Sequence, residues 1–215
     1  MTYKLIKRQN LICVHSTQPR EKIKLISPES DIITQMKFTK LAIPDLVLIE
    51  PRVIEDSRGF FYESYRAIDF EKNGICENFV QDNFSRSQKG VLRGLHYQIE
   101  PKAQAKLIRV TRGEVFDVAV DIRPNSKTFG KHVSLVLSEE NKKALFVPKG
   151  FAHGFLVLKD GTEFQYKVSD YYSPEHEFGI KWDDPSLGIP WPNLGMRYTL
   201  SEKDRKNPPL SKIPA

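Results

Sequence analysis

The sequence predicts an all-β fold, a sandwich or barrel with a ligand mouth, and three observations carry that prediction. From Met36 onward, short runs rich in Val, Ile, Phe and Tyr recur between Gly, Pro, Asn and Asp punctuation. One run, residues 114–122, alternates with a period of two along its whole length. Helical periodicity is weak, so helices are expected to be few and short.

The elements follow in order. A single short helix is expected over 67–72, just before Asn73-Gly74. Strands are expected at 106–111, 114–122, 132–137, 144–147, 155–158 and 163–168. In 114–122, Phe116, Val118, Val120 and Ile122 share one face, while Val115, Asp117, Ala119 and Asp121 share the other. Two carboxylates on one face of a strand fit either the lining of a polar pocket or a solvated outer face.

Composition bounds the function. The chain has 215 residues, enough for one large domain or two small ones. Hydrophobic residues are 40% and charged residues 28%, the balance of a soluble globular protein rather than a disordered one. A formal net charge of +6 suits an anionic ligand and is too small to demand nucleic acid. No stretch reaches the roughly 18 apolar residues that cross a bilayer. The run Leu11-Ile12-Cys13-Val14 is shorter than the roughly 7–15 residues of a secretory signal core. Cys13 and Cys76 form neither a disulfide framework nor a zinc spacing. A cytoplasmic protein without a membrane partner is the expectation.

Residues 1–35 differ from the rest. Lys4, Lys7, Arg8, Arg20, Lys22 and Lys24 outnumber Glu21, Glu29 and Asp31, periodicity is poor, and Pro19 and Pro28 interrupt it. This segment is an appendage: a flexible tail, an edge strand, or sequence upstream of a start at Met36. Residues 36–215 are expected to form one domain. The chain shows no internal repeat and no low-complexity tract.

Two segments carry candidate chemistry. Val91-Leu92-Arg93-Gly94-Leu95-His96-Tyr97-Gln98 sets an arginine and a histidine three apart, a cation for an anion and an imidazole for proton transfer. Pro148-Lys149-Gly150-Phe151-Ala152-His153-Gly154-Phe155 aims a second histidine with a proline and two glycines. Its PxGxxH pattern is similar to the second motif of cupin-type jelly-roll barrels. Metal-binding cupins also need an HxH motif, and Gln98 stands where its second histidine would be. Val157 stands where the second motif has its asparagine. Zinc and iron sites want three or four ligands at workable spacing, so no metal is expected.

Further segments complete a pattern. They are Asp56-Ser57-Arg58-Gly59-Phe60-Phe61-Tyr62-Glu63, Val80-Gln81-Asp82-Asn83, Ala105-Lys106-Leu107, 113–121, 166–174, Trp182-Asp183-Asp184-Pro185 and Leu200-Ser201-Glu202-Lys203-Asp204. With the two motifs above, in this order over about residues 36–209, the chain resembles the dTDP-4-dehydrorhamnose 3,5-epimerase family. The resemblance implies a dTDP-4-keto-6-deoxyhexose substrate, whose C4 ketone acidifies the protons at C3 and C5. Such epimerisation needs a base, an opposed acid and a positive group near the enolate oxygen. By resemblance His96 is the base, Asp204 its carboxylate partner, Tyr166 the opposed proton donor and Lys106 the enolate-stabilising cation. No external cofactor is implied, because the ketone is the electron sink.

The same resemblance implies a binding set. Arg58 and Arg93 serve the diphosphate, with Glu63, Gln81, Asn83, His153, Glu177 and Lys203 around the nucleotide sugar. Tyr172 would stack on the thymine. The strand carrying Arg58 and Glu63 is implied to reach the neighbouring subunit's site, hence a homodimer. Phe84 departs from the polar residue many members carry there. Taken without the resemblance, Tyr166 could simply pack in a strand, Asp204 decorate a helix start, and Lys106 be a surface lysine. The competing functions are a C3-only or C5-only epimerase, a 3,4-ketoisomerase, and a non-catalytic nucleotide-sugar-binding jelly roll. A metal-dependent cupin oxygenase is opposed by Gln98.

Overall fold

A computed structural model describes residues 36–214. The expected appendage of residues 1–35, Cys13 included, lies outside them. The described chain groups into two compact units, one of Arg52–Cys76 with Met36, the other of Lys37–Pro51 with Glu77 onward. It opens with β1 (Lys37–Lys40) and β2 (Val47–Glu50), which belong to the larger unit.

The smaller unit is a hairpin and a helix. β3 (Ile54–Asp56) pairs with β4 (Gly59–Phe61), and α1 (Ala67–Lys72) follows where the sequence predicts it. At the hairpin turn Gly59 has φ +123°, a conformation open to glycine. The Asp56 carboxylate accepts from the Arg58 amide at 2.8 Å and pairs with its guanidinium, which braces the turn. α1 buries Phe70, whose ring lies 4.8 Å from that of Tyr65. It stops at Asn73-Gly74, where Gly74 turns with φ +81°.

The larger unit holds β5 (Gln81–Ser87), β6 (Leu92–Gln98), β7 (Lys106–Arg112), β8 (Glu114–Asp121), β9 (His132–Ser138), β10 (Ala144–Val147), β11 (Phe151–Val157), β12 (Thr162–Val168) and β13 (Glu177–Gly179). Its short α2 (Glu202–Arg205) comes near the end. Two antiparallel sheets result, one ordered β1-β2-β10-β7-β12-β5 and the other β13-β6-β11-β8-β9. The all-β jelly-roll expectation is borne out. Ile108, Val110, Leu145, Val147 and Phe164 of the first sheet pack with Val115, Ala119, Leu137, Phe151, Phe155 and Val157 of the second. Phe155 and Phe164 stack across that core at 3.9 Å. The other face of the second sheet is covered by the C-terminal segment: Val118, Val120, Leu95 and Tyr97 pack with Ile180, Leu187, Trp191 and Leu210. Among the described residues no helix is long and apolar enough to cross a membrane.

Two expectations need correction. The strand expected at 155–158 begins at Phe151, so His153 and Gly154 sit inside a strand rather than in a turn. The β8 carboxylates neither line the pocket nor face solvent. Asp117 and Asp121 are both 0% exposed, each behind a cation or imidazole. Asp121 takes Arg123, Ser126 and Thr128, each at 2.6 Å, stapling the following loop. Burial opposes its ionisation, but these bonds hold its carboxyl well below the usual range. The alternation put both residues on one face of the strand, as expected, but could not show that the face is buried or what meets the carboxylates there.

The close approach of β6 and β11 depends on two glycines. A Cβ on Gly94 would lie 2.5 Å from the Gly154 Cα, and one on Gly154 would lie 2.7 Å from the Arg93 carbonyl oxygen. Both obstacles are backbone. Gly154→Ala is therefore expected to cost about 2 kcal/mol or more and to lower the melting midpoint by about 5 °C or more. An unchanged midpoint by calorimetry would show that the strands can separate without penalty.

Candidate active site

Four strand pairings aim the functional side chains inward. His153 sits directly opposite His96 across the β11–β6 ladder and opposite Ala119 across β11–β8. Ala119 belongs to the inter-sheet core, so both imidazoles face the first sheet. On that sheet Tyr166 pairs with Ile108 and Asn83, and Lys106 lies two residues from Ile108 on the same inward face. The two sheets thus present unlike chemistry to one space. That space is a cavity of about 870 Å³.

The cavity brings together eleven of the thirteen residues singled out from the sequence. His96, Lys106, Tyr166 and Asp204 line it, with Gln81, Asn83, Arg93, His153, Tyr172, Glu177 and Lys203. The other two, Arg58 and Glu63, belong to the hairpin unit. There the Arg58 side chain is 88% exposed beside Asp56, and one Glu63 carboxylate oxygen is buried without a partner among the described residues.

His96 and Asp204 stand 108 residues apart in sequence and meet at 2.5 Å, Nε2 to Oδ1. Asp204 is 3% exposed. Its amide is capped by the Ser201 hydroxyl at 3.0 Å, so the residue sits at a helix start and meets the imidazole at once. Burial tends to neutralise Asp204, but the bond and charge of His96 and the Ser201 cap hold its carboxyl below the usual range. An ionised carboxylate therefore sits behind the imidazole.

Lys106 is no surface lysine. It is 8% exposed, and its ammonium donates to the His96 carbonyl oxygen at 3.2 Å, reaching from one sheet to the other. Burial lowers its pKa to about 8, against the pull of Glu177 and Asp117. Tyr166 is half-buried on the cavity wall, its ring 5.9 Å from that of Phe164. Burial first, then the Glu177 charge, pushes its phenol up, so it stays protonated at neutral pH.

A second imidazole–carboxylate pair lies beside the first. His153 Nε2 is 2.9 Å and 3.0 Å from the two oxygens of Asp117, and its ring stacks on Phe164 at 6.1 Å. Asp117 lies behind His153 rather than on the cavity wall, and linear spacing alone did not pair the two. Around the mouth, Tyr172 donates to Glu177 at 2.8 Å, and Lys203 pairs with the same carboxylate oxygen. Arg93 is exposed and donates to Ser87 at 3.0 Å, a bond light enough to be exchanged for an anion. Phe84 is 62% exposed on the cavity wall. Gln98 is fully engaged by backbone partners at 2.6–3.3 Å. Among the described residues no three or more His, Cys, Asp or Glu side chains are grouped to hold a metal ion.

The chain is similar to known proteins over most of its described length. A family model described as dTDP-4-dehydrorhamnose 3,5-epimerase matches residues 40–212. A protein of that description from Pseudomonas aeruginosa is 59% identical over 172 residues, covering 80% of this chain and 94% of its own. The crystal structure of a dTDP-6-deoxy-D-glucose-3,5-epimerase from Legionella pneumophila, in complex with dTDP-4-keto-L-rhamnose, is 54% identical with a TM-score of 0.81. It covers 84% of this chain and 95% of its own. A dTDP-4-dehydrorhamnose 3,5-epimerase from Bacillus anthracis, with TDP and PPi bound, is 47% identical with a TM-score of 0.79, covering 81% and 99%.

The buried lysine yields a direct test. In NMR spectra of protein carrying isotope-labelled lysines, one resonance is expected to titrate near about 8 and to vanish in Lys106→Met. If every lysine resonance titrated in the ordinary range near 10.4, the burial argument for Lys106 would be wrong.

Proposed function

The chain belongs to the dTDP-4-dehydrorhamnose 3,5-epimerase family, and from that premise we propose that it converts dTDP-4-dehydro-6-deoxy-D-glucose to dTDP-4-dehydro-L-rhamnose. The observation that carries the proposal is the 2.5 Å His96–Asp204 pair in one cavity with Lys106 and Tyr166. His96 and Tyr166 come from opposite sheets, so a sugar ring between them meets a base on one face and an acid on the other. A binding module has no use for that opposition.

The chemistry follows from the groups present. His96 removes the proton from C5 or C3, and the C–H electron pair flows into the C4 ketone as an enolate. The imidazolium so formed lies against ionised Asp204, which stabilises it and fixes the ring. Lys106 offers its positive charge to the enolate oxygen inside a desolvated cavity, where such a charge counts for far more than in water. Tyr166, protonated at neutral pH, returns a proton to the opposite face of the carbon, inverting the centre. The ketone re-forms, and the substrate supplies its own electron sink.

Arg93 and Lys203 are proposed to take the diphosphate, Tyr172 the thymine, and Gln81, Asn83, His153 and Glu177 the remaining polar groups. A cytoplasmic homodimer is part of the same proposal. Its support is the hairpin unit, where Ile54, Phe60 and Phe61 are 40%, 59% and 63% exposed beside Arg58, apolar surface that a second copy would cover. Arg58 would then serve the partner's diphosphate, and Glu63 a polar group elsewhere on its nucleotide sugar.

Incubation of the dTDP-ketosugar in deuterium oxide is expected to place solvent deuterium at both C3 and C5. Label at a single carbon would assign a single-centre epimerase, and no label would exclude catalysis of this type. His96→Ala is expected to slow exchange by roughly 10²- to 10⁴-fold in a folded protein. The pH profile supplies an independent check. Lys106 acts as a cation, so on the alkaline side kcat/KM is expected to fall as pH rises through its pKa of about 8. A flat profile up to about pH 10 would remove Lys106 from the mechanism.

A further inference from the structure

The residue that stands at the metal-ligand spacing of a cupin has been given a different task. Gln98 is 6% exposed, and its side-chain amide is saturated. Nε2 donates to the carbonyl oxygens of Lys102 at 2.6 Å and Tyr171 at 3.3 Å, while Oε1 accepts from the Ser173 amide at 2.8 Å. The amide thus grips the chain on both sides of Tyr172. The backbone of Gln98 adds a third hold, pairing with Glu177 in the β6–β13 ladder. Glu177 in turn receives the Tyr172 hydroxyl at 2.8 Å.

Tyr172 needs this, because its ring does not locate itself. The residue is 53% exposed, and its ring is in stacking contact with no other aromatic among the described residues. Its position is set by hydrogen bonds to the surrounding backbone. Gln81 accepts from the Tyr172 amide at 3.1 Å, and Gln104 donates to the Asp170 carbonyl at 2.8 Å. Of these brackets Gln98 is the most deeply buried and the only one that touches both neighbours of Tyr172. A flat ring can serve as a stacking platform only if its plane is fixed before the base arrives; otherwise the ordering cost falls on binding.

We propose that Gln98 is a positioning residue for nucleobase recognition, acting through Tyr172 rather than through any contact with the reacting carbons. This rests on the reading of Tyr172 as the thymine platform. The inference explains why an amide suits the position. A histidine or carboxylate could not offer one acceptor to an N–H and a second group that donates to two carbonyls.

The experiment is a double-mutant cycle read by the affinity of the folded enzyme for dTDP and for pyrophosphate, which lacks the base. Gln98→Met, close in volume, is expected to weaken dTDP about tenfold through the lost hydrogen bonds, with pyrophosphate changed less than about twofold. KM for the ketosugar should rise in step, with kcat within about threefold of wild type. In a Tyr172→Ala background the same substitution is expected to cost less than about twofold, because the ring it positions is gone. Undiminished loss in that background, or equal loss of dTDP and pyrophosphate, would overturn the proposal. Tyr172→Ala with unaltered dTDP affinity would overturn both it and the platform reading. Should Gln98→Met fail to fold, Gln98→Glu keeps the acceptor for Ser173 and removes the donor, and the same criteria apply to it.

Discussion

The site depends on how closely β6 can lie against β11. Gly94 and Gly154 face each other across that ladder with no room for a side chain on either. Because the strands approach there, His96 and His153 come into direct register and point the same way. A jelly roll without that contact would still bury its inter-sheet core. It would not set two imidazoles side by side opposite a lysine and a tyrosine.

Given the register, the charges arrange themselves in depth. Each imidazole has a buried carboxylate behind it, Asp204 at 3% and Asp117 at 0% exposure. Removing the partner of a buried charge costs about 3–5 kcal/mol, whereas an exposed pair such as Lys37–Glu50 is worth about 1 kcal/mol or less. The inner pairs are therefore committed to the architecture. At the mouth the balance differs: Lys203 and Tyr172 share Glu177, and among the described residues Arg93 donates only to Ser87, so on the proposed function the two cations Lys203 and Arg93 turn to the incoming anion. A rigid acid–base floor under an exchangeable polar rim is the arrangement expected for turnover on a charged nucleotide sugar.

Much of this was legible in the sequence, and the reasons are local. β7, β8, β9, β10 and β12 read correctly because apolar β-formers recur along them and punctuation bounds them. β5, Gln81–Ser87, was not read as a strand, because its inward positions carry Gln, Asn and Ser for the cavity and no hydrophobic alternation survives. β6 carries no clean alternation for a related reason: glycine, arginine and histidine stand among its apolar residues where the site lies. Function erased the pattern where it was strongest. The pairing of Asp117 with His153 across two strands, and of His96 with Asp204 across 108 residues, has no signature in linear spacing. The motif resemblance supplied Asp204; nothing supplied Asp117. Gln98 was noticed for what it is not, and only the structure showed what it holds.

On the proposed mechanism, removal and return of the proton come from groups on opposite sheets. The decisive experiment is the stereochemical outcome of exchange catalysed by Tyr166→Phe in deuterium oxide. With His96 and Lys106 intact, the enolate still forms, so deuterium is expected to enter the sugar while the original configuration at C5 is retained. Inversion at C5 at an undiminished rate in that variant would contradict the account, because the acid on the far face would then be some group other than Tyr166.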